Sequence, residues 1–270
     1  MKTATKKLAK IVKTATKPHR RPYRFTANTR SSKELDYMVE LDQHIQSSGF
    51  SMLERFMNFP LYVPRQNLTT FLCKYEIFKR VLAIQGSIVE CGVLFGGGTL
   101  TFAQLSAIFE PTNHQRRVIG FDTFAGHRPM HKEDINSASA EAKEGGFAVD
   151  SYAEITRSAV LHDLNRFVGH IPKVELVRGD ASKTIPKYVK DNPHLIVSLL
   201  YLDFDVYGPT EVAIKTIVPR MPKGAIIAFD ELNLKDWPGE TQALLKRMRL
   251  RELRLERFPF GSTISFAEIS

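Results

Sequence analysis

Ile88-Val89-Glu90-Cys91-Gly92-Val93-Leu94-Phe95-Gly96-Gly97-Gly98-Thr99 reads as a short apolar strand ending in an acid, a glycine-rich turn and the start of a helix. Gly92 and Gly96 to Gly98 let the backbone turn sharply and approach a ligand without Cβ clashes, while the helix opening at Thr99 presents unpaired N–H groups. This is a cradle for a nucleoside-containing cofactor. A dinucleotide fold expects G-x-G-x-x-G, whereas the spacing here is E-x-G-x-x-x-G-G. Glu90 would repel a pyrophosphate and attract a cation, and S-adenosylmethionine carries both an ammonium and a sulfonium.

Outward from the cradle, β and α patterns alternate. Strands are expected at Ile88 to Cys91, Arg117 to Phe121, Val174 to Val177, Val197 to Leu202 and Ala225 to Phe229. Helices are expected at Thr99 to Phe109, Tyr152 to Phe167, Ile185 to Asp191, Pro209 to Val218 and Glu240 to Leu250. Such alternation demands an α/β fold with a largely parallel sheet. Leu253 to Phe258 and Thr263 to Glu268 are joined by a link too short for a crossover helix, so they form an antiparallel hairpin. A mostly parallel seven-stranded, Rossmann-like sheet closed by a terminal hairpin resembles the class I methyltransferases. Upstream, Thr69 to Ile84 reads as a helix, and Ser31 to Asn58 as a helical segment before the breakers Pro60 and Pro64. The expected organisation is a basic tail over 1–30, a helical extension over 31–68 and a cofactor domain over 69–270, with 123–151 inserted as a lid.

Ligands in open sheets bind at the carboxyl ends of strands, and each of the first five strands delivers an acid there: Glu90, Asp122, Asp180, Asp203 with Asp205, and Asp230 with Glu231. So many acids on one edge repel one another unless cations sit there, and a cationic cofactor and a divalent metal would supply them. Asp122 is spaced to accept hydrogen bonds from ribose hydroxyls, or is a turn Asp. Asp180 falls where an adenine amino group would be met, or caps the helix starting near Ser182. Period two puts Asp203 and Asp205 on the same side if the strand continues that far, and with Asp230-Glu231 they form an oxygen-only cluster suited to Mg²⁺, Ca²⁺ or Mn²⁺ rather than zinc. The expected cofactor contacts are Glu90, Gly92, Gly96, Gly97, Gly98, Thr99, Asp122, Asp180 and Asp203.

Bulk composition constrains the partners. At 270 residues and 43% apolar content the chain supports a real core. Without a membrane-length apolar run or signal-peptide core, the expectation is a soluble, cytoplasmic protein. Residues 1–30 hold ten Lys or Arg and no acid, leaving 28 cations against 29 acids in the rest. The tail suits RNA, anionic lipid, an acidic partner, organelle targeting or plain solvation, while the near-neutral body argues against nucleic acid as substrate. Cys73 and Cys91 sit in apolar surroundings and read as buried reduced thiols, not nucleophiles.

The Val89-Glu90-Cys91-Gly92-Val93 cradle with Gly96-Gly97, the Phe121-Asp122-Thr123-Phe124-Ala125-Gly126 block, Leu202-Asp203-Phe204-Asp205-Val206-Tyr207-Gly208-Pro209-Thr210, and Gly224 through Asp230-Glu231 together resemble the macrocin O-methyltransferase family of metal-dependent sugar O-methyltransferases. The resemblance runs from about Leu68 to the C-terminus. It implies that Asp203, Asp230 and Glu231 hold Mg²⁺, that Asp205 is the general base on a hydroxyl of a sugar or glycoside, and that the protein is a homo-oligomer. The family usually carries Asp where this chain has Glu231. His127 and His131 in the insert are further candidates for base or substrate contact, with Asp205 preferred as base, and Trp237 after the second acidic pair lines the acceptor pocket or anchors its loop. Competing readings are an RNA or catechol-type methyltransferase and, outside enzymes, a cofactor-binding scaffold. The fourth strand lacks the Asn/Asp-Pro-Pro-Tyr motif of enzymes that methylate base amines, and the complete acidic set argues against a decayed site.

Overall fold

The computed structural model describes residues 31–134, 137, 139–261 and 263–270. The expected basic tail lies outside the described residues. Two compact units divide between Tyr62 and Val63. In the first, helices α1 (Ser32–Ser47) and α2 (Met52–Met57) each open on a capping box, Ser31 with Glu34 and Ser51 with Glu54. The second cap, after Gly49, splits the continuous segment that apolar periodicity suggests. Arg55 secures the split by donating to the carbonyls of Ile45, Ser48 and Phe50 at 2.8, 2.7 and 2.8 Å. With the local polar groups so engaged, the large apolar side chains from Phe50 to Leu61 stay exposed.

The second unit begins with helix α3 (Arg65–Val81) and then alternates as expected: β1 (Ser87–Cys91), α4 (Gly97–Phe109), β2 (Val118–Asp122), α5 (Tyr152–Leu164), β3 (Val174–Arg178), α6 (Ala181–Asp191), β4 (Val197–Leu202), α7 (Tyr207–Ile217), β5 (Ile226–Phe229) and α8 (Gly239–Arg247). The terminal strands β6 (Glu256–Arg257) and β7 (Ser265–Glu268) are shorter than the apolar pattern suggests. The sheet order is β3-β2-β1-β4-β5-β7-β6. β1 to β5 pair in parallel and β7 runs antiparallel to both neighbours. None of the described helices is long and apolar enough to cross a membrane.

Period two divides the strand residues between two cores. Val89, Ile119, Leu200 and Ile227 pack beneath α6, α7 and α8. Ile88, Val118, Leu199, Tyr201 and Ile226 pack against α3 and α4 through Ile77, Phe78 and Phe102. Each fully buried large side chain contributes about 1.5–3 kcal/mol by leaving water, so the sheet is a rigid platform clamped from both sides. Its carboxyl edge is also ordered: backbone bonds continue one residue past the strands, from Gly179 to Asp122, Gly92 to Phe121, Asp203 to Cys91 and Asp230 to Leu202, at 2.8–3.0 Å. Asp180, Asp122, Gly92, Asp203 and Asp230 therefore stand in one row across the topological switch between β1 and β4.

Candidate functional site

The row has a glycine half and an acid half. At the centre, Gly92 has φ +93° and a Cβ there would lie 1.8 Å from the Asp203 carbonyl oxygen, so only glycine lets β1 pass β4 this closely. α4 starts at Gly97 with no side chain capping it, and a Cβ at Gly97 would meet nothing within 4 Å. Thr99, by contrast, is fully buried. The result is an open helix N-terminus above a strand end, the geometry for holding a ligand by backbone N–H groups.

Asp122 shapes this cradle from below. Its Oδ2 accepts the N–H groups of Val93 and Leu94 at 2.8 and 2.9 Å, and its Oδ1 that of Phe124 at 2.7 Å. A carboxylate has about four acceptor positions, so after clamping the loop Asp122 keeps room for one further donor on Oδ1. Asp180 is the N-cap of α6, accepting from Ser182 N–H at 3.0 Å on Oδ1.

Glu90, expected to meet the cation of the cofactor, has its own partners within the protein. Glu90 is 1% exposed, and its carboxylate takes Lys74 Nζ at 3.1 Å and the Thr99 hydroxyl. The reason is positional: Glu90 lies inside β1, on the face shared with Ile88, and points at α3 rather than off the strand end. A Cβ at Gly98 would lie 1.8 Å from Glu90 Oε1, so that glycine admits the pair beneath α4. Lys74 Nζ also sits 3.6 Å from the centre of the Tyr201 ring, and the Tyr201 hydroxyl donates to Asp230 Oδ1 at 2.6 Å.

Beyond β4 and β5 the acids change character. Asp203, Asp205, Asp230 and Glu231 are part-buried and Glu240, from α8, is fully buried. Among the described residues no Lys or Arg forms an ion pair with any of these five. Burial and then the neighbouring Asp230 push Asp203 well above the usual carboxylate range. Burial and then Glu231 do the same to Asp205, and burial raises Glu231 to about 8. Burial, then Asp203, raises Glu240. Glu240 accepts the Glu231 N–H at 3.3 Å through Oε2, but its Oε1 and Glu231 Oε2 are buried with no hydrogen-bond partner. Buried polar atoms are normally paired, so these two orphans and the all-oxygen donor set fit a hard cation. As the side chains stand, no three His, Cys, Asp or Glu among the described residues form a ready ligand set.

The insert closes over this half. Asp134 Oδ1 accepts the Tyr207 N–H at 2.8 Å, His131 stacks on Tyr207 with ring centres 4.6 Å apart, and Ser137 bonds the Asp236 carbonyl. Trp237, 8% exposed, packs on His127 and Phe147 at 5.8 and 5.7 Å, which makes it an anchor for the insert. Burial raises the pKa of both free thiols, so neither Cys73 nor Cys91 is poised as a nucleophile. The residues that sequence reasoning missed are Lys74, Tyr201 and Glu240. Period two on β1 and β4 put Glu90 and Tyr201 on one face, but Glu240 reads only as part of an amphipathic helix.

Residues 73–249 match the family model of macrocin O-methyltransferase (TylF). The crystal structure of the calicheamicin methyltransferase CalS11 is similar at 33% identity, covering 88% of this chain and 93% of that one, with a TM-score of 0.85. The apo structure of CalS11, a TDP-rhamnose 3'-O-methyltransferase of calicheamicin biosynthesis, gives 32% identity, 88% and 95% coverage and a TM-score of 0.76. The O-methyltransferase NovP, at 15% identity, 74% and 79% coverage and a TM-score of 0.56, shares the fold. No curated protein sequence matches. The chain belongs to the macrocin O-methyltransferase family and is an S-adenosylmethionine-dependent O-methyltransferase with the class I fold.

Proposed function

We propose that this enzyme methylates a hydroxyl of a sugar, free, nucleotide-linked or part of a glycoside, with the acceptor held over the β4–β5 end of the row and the cofactor over the β1–α4 cradle. Its main support is the contrast along one edge: an open glycine cradle abuts carboxylates with which, among the described residues, no Lys or Arg forms an ion pair, and two of whose oxygens are buried without a hydrogen-bond partner. The relationship to CalS11, a TDP-rhamnose methyltransferase, favours a sugar over RNA or a catechol.

In this reading Gly92, Gly96, Gly97, Gly98 and Thr99 form the cradle. Asp122 holds its loop and offers its remaining acceptor position to a ribose hydroxyl. Asp180 shares Oδ2 between the exposed Lys183, 3.9 Å away, and the nucleoside, Asp203 stands at the boundary with the acceptor, and Glu90 acts from behind by fixing Thr99. These residues would hold S-adenosylmethionine, which when bound would supply the methyl group to the acceptor oxygen and leave as S-adenosylhomocysteine. Asp203, Asp230 and Glu231 would hold Mg²⁺, which supplies positive charge to a developing alkoxide. Tyr201 supports that set by fixing one oxygen of Asp230. Asp205 takes the hydroxyl proton as general base. The platform's other contribution is alignment, because in-line transfer gains most from fixing donor and acceptor before reaction. The insert 123–151 acts as a lid that keeps water from both.

The same reading has residues 31–68 as an extension of a catalytic domain over 69–270, a homo-oligomer supported by the exposed apolar stretch Phe50 to Leu61, and a cytoplasmic location supported by two free thiols. Methyl transfer from labelled S-adenosylmethionine into TDP-rhamnose, catechol and RNA, each with and without EDTA, tests it. Label in the sugar alone, abolished by EDTA, is expected. Label in RNA or catechol alone would replace the acceptor, and EDTA-insensitive transfer would remove the metal.

A further inference from the structure

Asp205 sits in a frame that β4 does not supply. Its backbone is left-handed, φ +64°, which turns the side chain out of the alternation of the strand before it. Facing it across the crevice is His127, from the insert. His127 Nε2 lies 3.8 Å from Asp205 Oδ2, with the two side chains 10% and 14% exposed, and that nitrogen is buried with no hydrogen-bond partner. The imidazole is held by other means: its ring packs on Phe147 at 5.6 Å and Trp237 at 5.8 Å. The His127 N–H donates to the Gly146 carbonyl, and the Gly145 N–H donates back to the His127 carbonyl, both at 2.9 Å. Burial lowers the His127 pKa, which favours the neutral ring, with one N–H and one lone pair. An unpaired buried nitrogen is costly, and the acceptor it faces is Asp205. The separation exceeds hydrogen-bond length, as is common at catalytic groups before the reacting complex forms.

We propose that His127 is a positioning residue for methyl transfer: with acceptor bound, its Nε2–H closes onto Asp205 Oδ2 and aims Oδ1 at the hydroxyl to be methylated. The inference rests on Asp205 being the base. The hydroxyl proton moves to Oδ1, the Nε2–H stays on the imidazole, and the ring takes no part in bond making. A His127 that merely filled the aromatic box would be replaceable by any ring of similar size.

Two variants separate these roles. His127→Phe keeps a ring against Phe147 and Trp237 but has no N–H, whereas His127→Gln keeps a donor of similar reach. With TDP-rhamnose as acceptor, His127→Phe is expected to lower kcat roughly 10- to 100-fold, with KM and S-adenosylhomocysteine affinity little changed, and His127→Gln to recover most of the loss. Wild-type kcat in His127→Phe, or equal losses in both variants, would overturn the proposal. Full turnover by Asp205→Asn would instead strike the base assignment. A readout independent of acceptor comes from ¹⁵N-histidine NMR of the full chain. His127 should be the Nε2–H tautomer, with a resonance that shifts in Asp205→Asn. An Nδ1–H tautomer, or no response to that substitution, would contradict the proposal whatever the acceptor.

Discussion

The two halves of the strand-end row treat their acids oppositely, three on one side and, with Glu240 from α8, five on the other. On the β3-β2-β1 side each acid has protein donors: Asp180 caps α6, Asp122 binds three backbone N–H groups, and Glu90 holds Lys74 and Thr99. On the β4-β5 side Asp203, Asp205, Asp230, Glu231 and Glu240 crowd together, and among the described residues no Lys or Arg pairs with them. Acids answered by the protein build the cradle. Acids that no described Lys or Arg pairs with are the ones the proposed function gives to a cation and an ionising hydroxyl. Counting strand-end carboxylates cannot separate the two groups; asking which of them leave buried oxygens without a donor does.

The sharpest way to test that division is to neutralise one acid on the unanswered side. Asp205→Asn should lower turnover by about 10²- to 10⁴-fold with S-adenosylhomocysteine affinity and thermal stability unchanged, measured by single-turnover transfer and calorimetry. A variant that loses cofactor binding as well would place Asp205 in the cradle half. On the answered side the loss should fall on folding. Lys74→Met strands Glu90 in the core, and breaking so buried a pair costs about 3–5 kcal/mol, read by denaturant unfolding. The double variant Lys74→Met/Glu90→Gln should regain much of it. A single-variant loss under about 1 kcal/mol would show that the pair does not hold β1 to α3. Asp180→Ala sets the lower end: losing an N-cap costs about 0.5–2 kcal/mol. A large fall in cofactor affinity with little change in stability would turn Asp180 from cap into ligand contact.

Much of this fold is written in local pattern. β4, Val197 to Leu202, coincides with its apolar run, and each of β1 to β5 lies within a residue of where alternation puts it. Boundaries drifted where caps override periodicity. α3 starts at Arg65 behind Pro64, four residues before the expected start at Thr69, and α6 starts at Ala181 on the Asp180 cap although Pro186 lies within it. At the site, the row of acids was readable because strand ends share an edge. The fate of each acid was not, because it depends on residues far away in sequence. Lys74 reaches Glu90 from a preceding helix, Glu240 joins the cluster from a following one, and His127 meets Asp205 only after the insert folds back between Gly145 and Gly146.

The account turns on the claim that the β4-β5 carboxylates take a divalent cation. The direct test is to titrate the full-length chain into Mn²⁺ and follow the free-ion signal by electron paramagnetic resonance. One Mn²⁺ should leave solution per chain, be displaced by Mg²⁺, and remain free with the Asp230→Asn/Glu231→Gln variant. A free-ion signal undiminished by the wild-type chain would contradict the account.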